Sequence, residues 1–335
     1  MTQHPPTVVV LHGGTPPPVM DRIEQIASVR YTTEPELPAA LPGADVLFVW
    51  DFRSDAVAES FARADALRWV HAASAGVDRL LFPQLLESAV AVTNSRGVFD
   101  QPMAEYVLAT VLSFAKDLHT SVRLQDRKQW RHRETERIAG KHALVVGTGP
   151  IGRAIATQLS AAGLRVSGAG RVARDDDPDF GTVQASADLA LGDVDYLVLA
   201  APLTEQTHGL IDADALARCK PTARLINVGR GELVVQPDLV EALEAGRLGG
   251  AALDVFDTEP LPQDSPLWEM PNVLVSPHMS GDTVGWTEEL VQLFRENLRS
   301  YAAGGPLRNV VDKQRGYVSG PGNAGGQTSG TERDR

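Results

Sequence analysis

Cysteine occurs once in the 335 residues, at Cys219, so no intrachain disulfide can form; that suits a reducing compartment. In the run DADALARCKP it stands beside an expected helix end with no activating motif around it, and it reads as a packing residue rather than a nucleophile. Aromatic side chains make up only 6% of the chain, so aliphatic residues must fill its cores. No run of eighteen apolar residues exists, which argues against a transmembrane helix. The start, MTQHPPTVVVLHGG, lacks the charged beginning and long apolar stretch of a secretory signal, so the expected location is the cytoplasm and no membrane partner is expected. Basic residues are also scarce: 31 Lys and Arg against 43 Asp and Glu give a formal charge of −12. That argues against a nucleic-acid partner, which needs a basic field. An anionic ligand would need its own local positive charge, which draws attention to isolated arginines near glycine turns.

The length favours two domains. The first hundred residues alternate apolar strands with helical stretches, with strands expected at Val8–Leu11, Val46–Trp50, Trp69–Ala72 and Val90–Thr93 and a helix at Ala56–Leu67. Asp100-Gln101-Pro102 then reads as a helix start, with Asp100 as the cap, and apolar residues at helical spacing carry it to Leu118. From Arg123 to Lys141 the chain is strongly charged and reads as a solvated arm or subunit contact. A second α/β unit follows. Its strands are expected at Ala143–Val146, Leu164–Ser167, Tyr196–Leu199, Leu225–Val228, Ala251–Val255 and Val273–Val275, the pattern of a doubly wound parallel sheet. A last helix is expected from Gly281 to about Ala303, and residues 316–335 read as disordered.

Chemistry enters with Gly147-Thr148-Gly149-Pro150-Ile151-Gly152, between the strand ALVV and an amphipathic helix. In that setting Gly147 permits a tight turn, Gly149 lets a pyrophosphate approach the backbone, and Gly152 lets helix and strand pack closely. The helix start supplies free N–H groups and partial positive charge. NAD sites usually carry an acidic residue about twenty positions on. Here Gly170 is followed by Arg171 and then Arg174, with no carboxylate between to repel a 2′-phosphate, so NADPH is the expected cofactor, with NADH possible.

Polar residues also stand at the expected strand ends: Arg230 after LINVG, Asp254 after AAL, Glu259 five residues on, and His278 after VLVSP. Ligands of open parallel sheets bind outside the strands' carboxyl ends, so these residues can converge. Their types suit hydride transfer to a 2-oxo acid. Arginine can bind carboxylate and carbonyl oxygens together. A protonated histidine can neutralise the charge that builds on the carbonyl oxygen. A glutamate beside it would hold the imidazole's orientation and favour its charged form.

Seven segments together resemble the D-isomer-specific 2-hydroxyacid dehydrogenases: SAGVD, VTNSRGVFDQPMAEY, VVGTGPIG, LVLAAPLT, LINVGRGELV, GAALDVFDTEPLP and VLVSPHMSG, spread over roughly Ala44 to Val311. The resemblance implies a Rossmann cofactor domain, residues 99–282, inserted into a flavodoxin-like substrate domain, residues 1–98 and 283–315. It implies a catalytic trio of Arg230, Glu259 and His278, with the backbone of Ala75, Gly76 and Val77 binding the substrate carboxylate. Asp254 would accept from the nicotinamide carboxamide, while Ala201, Pro202, Val228, Gly229 and Gly281 would line the cofactor cleft. A homodimer joined through a helix and arm like Asp100–Lys141 is implied as well. Gly170-Arg171 resembles the NADPH-preferring glyoxylate/hydroxypyruvate reductase branch.

The remaining histidines His4, His119, His132, His142 and His208 show no metal-ligand spacing. His12 and His71 lie near strand ends of the first unit and could face a cleft, and Trp50 and Trp286 could shape a pocket, though packing reads better for all four. The alternative to an enzyme is a nucleotide-sensing interaction protein on the same fold, which would have no need to keep His278.

Overall fold

A computed structural model describes residues 4–318, so the expected disordered tail lies outside the described residues from position 319 onward. The chain divides into two compact units, residues 1–96 with 285–335 and residues 97–284.

In the first unit five strands, β1 (Thr7–Leu11), β2 (Ser28–Thr32), β3 (Val46–Val49), β4 (Trp69–Ala72) and β5 (Ala91–Thr93), form a parallel sheet in the order β2-β1-β3-β4-β5. This is the flavodoxin-like order, which places a switch point at β1 and β3. The central strands β3 and β4 are buried at every position, as parallel strands covered on both faces must be. The helix Trp286–Ala302 belongs to this unit, where Phe294 stacks on Phe48 with ring centroids 4.1 Å apart. Edge strand β2 is mostly exposed and carries no apolar run, so periodicity gave no sign of it.

The second unit holds an eight-stranded sheet: β6 (His142–Val146), β7 (Arg165–Gly170), β8 (Arg174–Asp177), β9 (Gly181–Ala185), β10 (Tyr196–Leu199), β11 (Arg224–Asn227), β12 (Gly250–Leu253) and β13 (Val273–Val275). Its order is β13-β12-β11-β10-β6-β7-β9-β8, parallel throughout except for the antiparallel edge pair β8 and β9. All five residues of β6 are buried. Fully burying one aliphatic side chain contributes about 1.5–3 kcal/mol, so this strand anchors the sheet around which the glycine turn is built. The helices Asp100–Ala115 and Pro150–Ala161 share one core, with Ala104, Val107 and Val111 of the first and Ile155, Ala156 and Leu159 of the second all inside.

The helix at Asp100 departs from expectation at both ends. Phe99 is its N-cap residue and Asp100 its first helical residue, so that carboxylate favours the helix through the positive end of the dipole. The helix stops at Ala115, and Asp117, at φ +48°, turns the chain into a separate helix, Leu118–Asp126. Arg133 holds that turn, its Nε donating to Asp117 Oδ2 at 2.5 Å.

Candidate active site

Register fixes the site. Val146 of β6, Leu199 of β10, Asn227 of β11, Leu253 of β12 and Val275 of β13 are paired in one continuous row across the second sheet. At about 4.8 Å per strand the row spans roughly 19 Å, and the segments leaving it at the carboxyl edge carry the candidate residues.

The glycine turn leaves β6. Gly147 has φ +113°, and a Cβ there would lie 2.6 Å from the Ala200 carbonyl. A Cβ on Gly152 would sit 1.8 Å from the Gly147 carbonyl oxygen, so no side chain fits either place. A Cβ on Gly149, by contrast, would meet nothing within 4 Å. Pro150 opens the twelve-residue helix, and its missing N–H is one that no helix start can pair. Packed glycines, an open one between them and the N–H groups of Ile151 and Gly152 at a helix start fit the pyrophosphate of a dinucleotide. Ala201, Val228 and Gly229 lie on the same edge: a Cβ on Gly229 would come within 2.9 Å of the Ala201 carbonyl oxygen, and Pro202 is exposed beside them.

The two arginines after β7 differ. Gly170 lies against Thr148 of the glycine turn, which brings exposed Arg171 to that edge. Arg174 begins β8 and is drawn away: its Nε donates to Asp177 Oδ2 at 2.8 Å. Arg153 donates to both oxygens of the same carboxylate at 3.0 Å. Burial alone would raise the Asp177 pKa, but the Arg153 and Arg174 guanidiniums overcome it and hold the carboxylate well below its ordinary value.

The trio comes from three adjacent strands. Arg230 follows β11, and its loop is fixed by Asn227, whose Nδ2 donates to the Arg230 carbonyl at 2.8 Å and whose Oδ1 accepts from Gly229 N–H. Gly231 presses on the backbone of Phe256 so closely that a Cβ would lie 1.8 Å from the Phe256 carbonyl carbon. The Arg230 loop therefore abuts the loop that bears Glu259. Within that loop Phe256 N–H donates to Glu259 Oε1 at 3.1 Å, which aims the other oxygen, Oε2, at His278 Nδ1 2.8 Å away. Glu259 thus fixes the orientation of the His278 ring through Nδ1. The His278 and Glu259 side chains keep 29% and 26% of their surface, so the pair is reachable without being fully solvated.

Asp254 and Gly281, both expected as cofactor contacts, are buried and have partners within the protein. Asp254 has no exposed surface; its oxygens accept from Ser276 Oγ at 2.6 Å, Met279 N–H at 2.9 Å and Ser280 N–H at 2.8 Å. That carboxylate supports the histidine loop. Gly281 is buried against the Phe99 ring, where a Cβ would lie 2.8 Å from a ring carbon, so its want of a side chain serves packing.

In the first unit Ala75, Gly76 and Val77 follow β4. Ser74 Oγ donates to the Gly76 carbonyl at 2.6 Å and Asn94 Nδ2 to the Ala75 carbonyl at 2.5 Å. Among the described residues no protein acceptor takes the N–H groups of these three residues, which suits an anion. His12 accepts from Gly14 N–H, and His71 lies wholly inside the core. Cys219 is buried, which pushes its thiol up to about 11. Among the described residues no cluster of three or more His, Cys, Asp or Glu could hold a metal, and no helix is long and apolar enough to cross a membrane.

A dinucleotide cradle at the switch point of one parallel sheet, beside a histidine–carboxylate pair, defines the class as a nicotinamide-dependent oxidoreductase. Comparison gives the family. Residues 108–280 match the NAD binding domain of the D-isomer specific 2-hydroxyacid dehydrogenases. Glyoxylate/hydroxypyruvate reductase B of Yersinia enterocolitica is 30% identical, covering 91% of this chain and 97% of that protein. The D-isomer specific 2-hydroxyacid dehydrogenase of Xanthobacter autotrophicus Py2, solved with NADPH, superposes with a TM-score of 0.78 at 31% identity over 94% of this chain and 100% of that one. The NADPH-dependent glyoxylate/hydroxypyruvate reductase of Sinorhizobium meliloti, solved with NADP and sulfate, gives 0.77 at 28% identity over the same shares. The chain belongs to the D-isomer-specific 2-hydroxyacid dehydrogenase family and is an NAD(P)-dependent oxidoreductase.

Proposed function

We propose that the protein reduces a small 2-oxo acid, glyoxylate or hydroxypyruvate, with NADPH as the preferred cofactor. The observation that carries this reading is the 2.8 Å pair of His278 Nδ1 with Glu259 Oε2, set one strand from the Arg230 loop on the edge that bears the glycine turn. When bound, the reduced nicotinamide would supply a hydride. The rest falls to the chain. Arg230 orients the acid and polarises its carbonyl. His278 gives the oxygen a proton from Nε2, and Glu259 holds the ring so that this nitrogen faces the substrate. The N–H groups of Ala75, Gly76 and Val77 take the carboxylate. Arg171 favours the 2′-phosphate. Arg174, already paired with Asp177, contributes less than the spacing of the two arginines suggested.

The names of the relatives support this substrate class. Exposed Leu118, Val122 and Trp130, on the segment between the helix Asp100–Ala115 and β6, support a homodimer. Steady-state oxidation of NADPH and NADH against a panel of 2-oxo acids tests the reading. Turnover of glyoxylate or hydroxypyruvate with a higher kcat/KM for NADPH is expected; an NADH preference would overturn the cofactor assignment, and no turnover with any acid would overturn the activity.

A further inference from the structure

His278 sits in the left-handed region at φ +53°, a conformation that costs a residue with a side chain and persists only where the surroundings impose it. On the backbone, one carboxylate holds the turn from both sides. Asp254, without exposed surface at the end of β12, accepts from the two peptide N–H groups that follow His278, Met279 to Oδ1 at 2.9 Å and Ser280 to Oδ2 at 2.8 Å. It also accepts from the hydroxyl of Ser276, two residues before the histidine, at 2.6 Å. The loop is thus tied on both sides of the imidazole to one group on the neighbouring strand.

Proton accounting extends the chain of bonds. The one hydroxyl proton of Ser276 goes to Asp254, so the 2.5 Å contact between Ser276 Oγ and the Tyr106 hydroxyl must have the phenol as donor. Tyr106 lies on the helix Asp100–Ala115, whose buried face is fixed in the core of this unit. Burial, and next the Asp254 charge, raise the phenol above its ordinary pKa, so it keeps the proton it donates.

We propose that Tyr106 and Ser276 are positioning residues for His278, acting through Asp254: phenol to serine hydroxyl to buried carboxylate to the two peptides that hold the histidine in its left-handed turn. Neither Tyr106 nor Ser276 needs to touch substrate or cofactor. The proposal rests on His278 being the proton donor.

The test is a set of variants in the full-length protein, each measured for kcat, for the NADPH dissociation constant by fluorescence titration, and for the pH profile of kcat/KM. Ser276→Ala is expected to lower kcat about tenfold and to shift or flatten the limb of the profile that belongs to His278. NADPH affinity should stay within about twofold. Ser276→Thr, which keeps the hydroxyl, should restore most of the rate. Tyr106→Phe removes one oxygen only and should give a smaller loss in the same direction; it stands in if Ser276→Ala does not fold. Wild-type kcat and pH profile in both Ser276→Ala and Tyr106→Phe would overturn the relay. A loss of NADPH affinity equal to the loss of kcat would also overturn it, in favour of a direct cofactor role for Asp254. His278→Ala separates the two levels. If that variant turns over normally, the reading of His278 itself fails; if it is inactive while Ser276→Ala and Tyr106→Phe behave as wild type, only the relay fails.

Discussion

Two histidines, each borne near the carboxyl edge of a parallel sheet, have opposite fates in the two units. His278 follows β13 on a loop, pairs with a carboxylate and keeps part of its surface. His71 lies within β4, has no exposed surface, and is enclosed by Phe48, Trp69 and Phe294 with ring centroids 5.4–5.9 Å away. Its partner is Thr93. Trp69 Nε1 donates to Thr93 Oγ1 at 2.7 Å, and the same hydroxyl lies 2.7 Å from His71 Nδ1. The other ring nitrogen, Nε2, has no hydrogen-bond partner among the described residues. Burial lowers this histidine's pKa to about 3. The residue type is the same; whether it works as an acid is decided by the carboxylate and the water within its reach.

The sharpest way to break this contrast is substitution. His278→Ala should lower kcat by about 10²–10⁴, the usual contribution of a positioned general acid, with NADPH affinity nearly unchanged. His71→Leu should leave kcat within about twofold of wild type, and a comparable loss in both variants would erase the distinction.

Acid denaturation sharpens the comparison next. The folded-state pKa of His71, about 3, lies below the unfolded value of 6.5, so the unfolded chain binds the extra proton between those limits. The stability so contributed is complete above pH 6.5 and is lost as pH falls toward 3, by on the order of 4 kcal/mol. Urea titrations across that range should show the slope in wild type and a reduced slope in His71→Leu; equal slopes would contradict the assignment.

A smaller effect is expected at Glu259. Glu259→Gln keeps the shape but removes the charge beside His278, and kcat should fall about tenfold with a changed pH profile. The smallest effects lie at the arginines after β7. Arg171→Ala should raise KM for NADPH by roughly tenfold and leave KM for NADH alone. Arg174→Ala, whose charge is already met by Asp177, should change it less than threefold. A larger effect at Arg174 than at Arg171 would show that the Asp177 pair opens on binding.

The sequence revealed most where burial is complete. Strands β3, β4, β6 and β10 are predominantly apolar and buried at every position, so their type and place follow from being covered on both faces. Strand β8, of sequence RDDD, was invisible because nothing in it favours a strand; it exists through pairing with β9 and the Arg153, Asp177 and Arg174 ion pairs. That same hairpin pairs Arg174 with Asp177, which the spacing of the two arginines does not reveal. His278 and Glu259 were legible through resemblance and spacing, but the left-handed turn at His278 and the burial of Asp254 are tertiary facts. Tyr106 lies among apolar neighbours at an ordinary helix position, and only its contact with Ser276, 170 residues away, sets it apart.

The most direct test of hydride transfer at the second unit's edge uses NADPH fully deuterated at C4 of the nicotinamide ring, incubated with hydroxypyruvate and analysed by mass spectrometry. One deuterium at C2 of the 2-hydroxy acid product is predicted, with none formed by His278→Ala on the same timescale. Tight binding of the labelled cofactor without transfer of label to any 2-oxo acid would contradict the account.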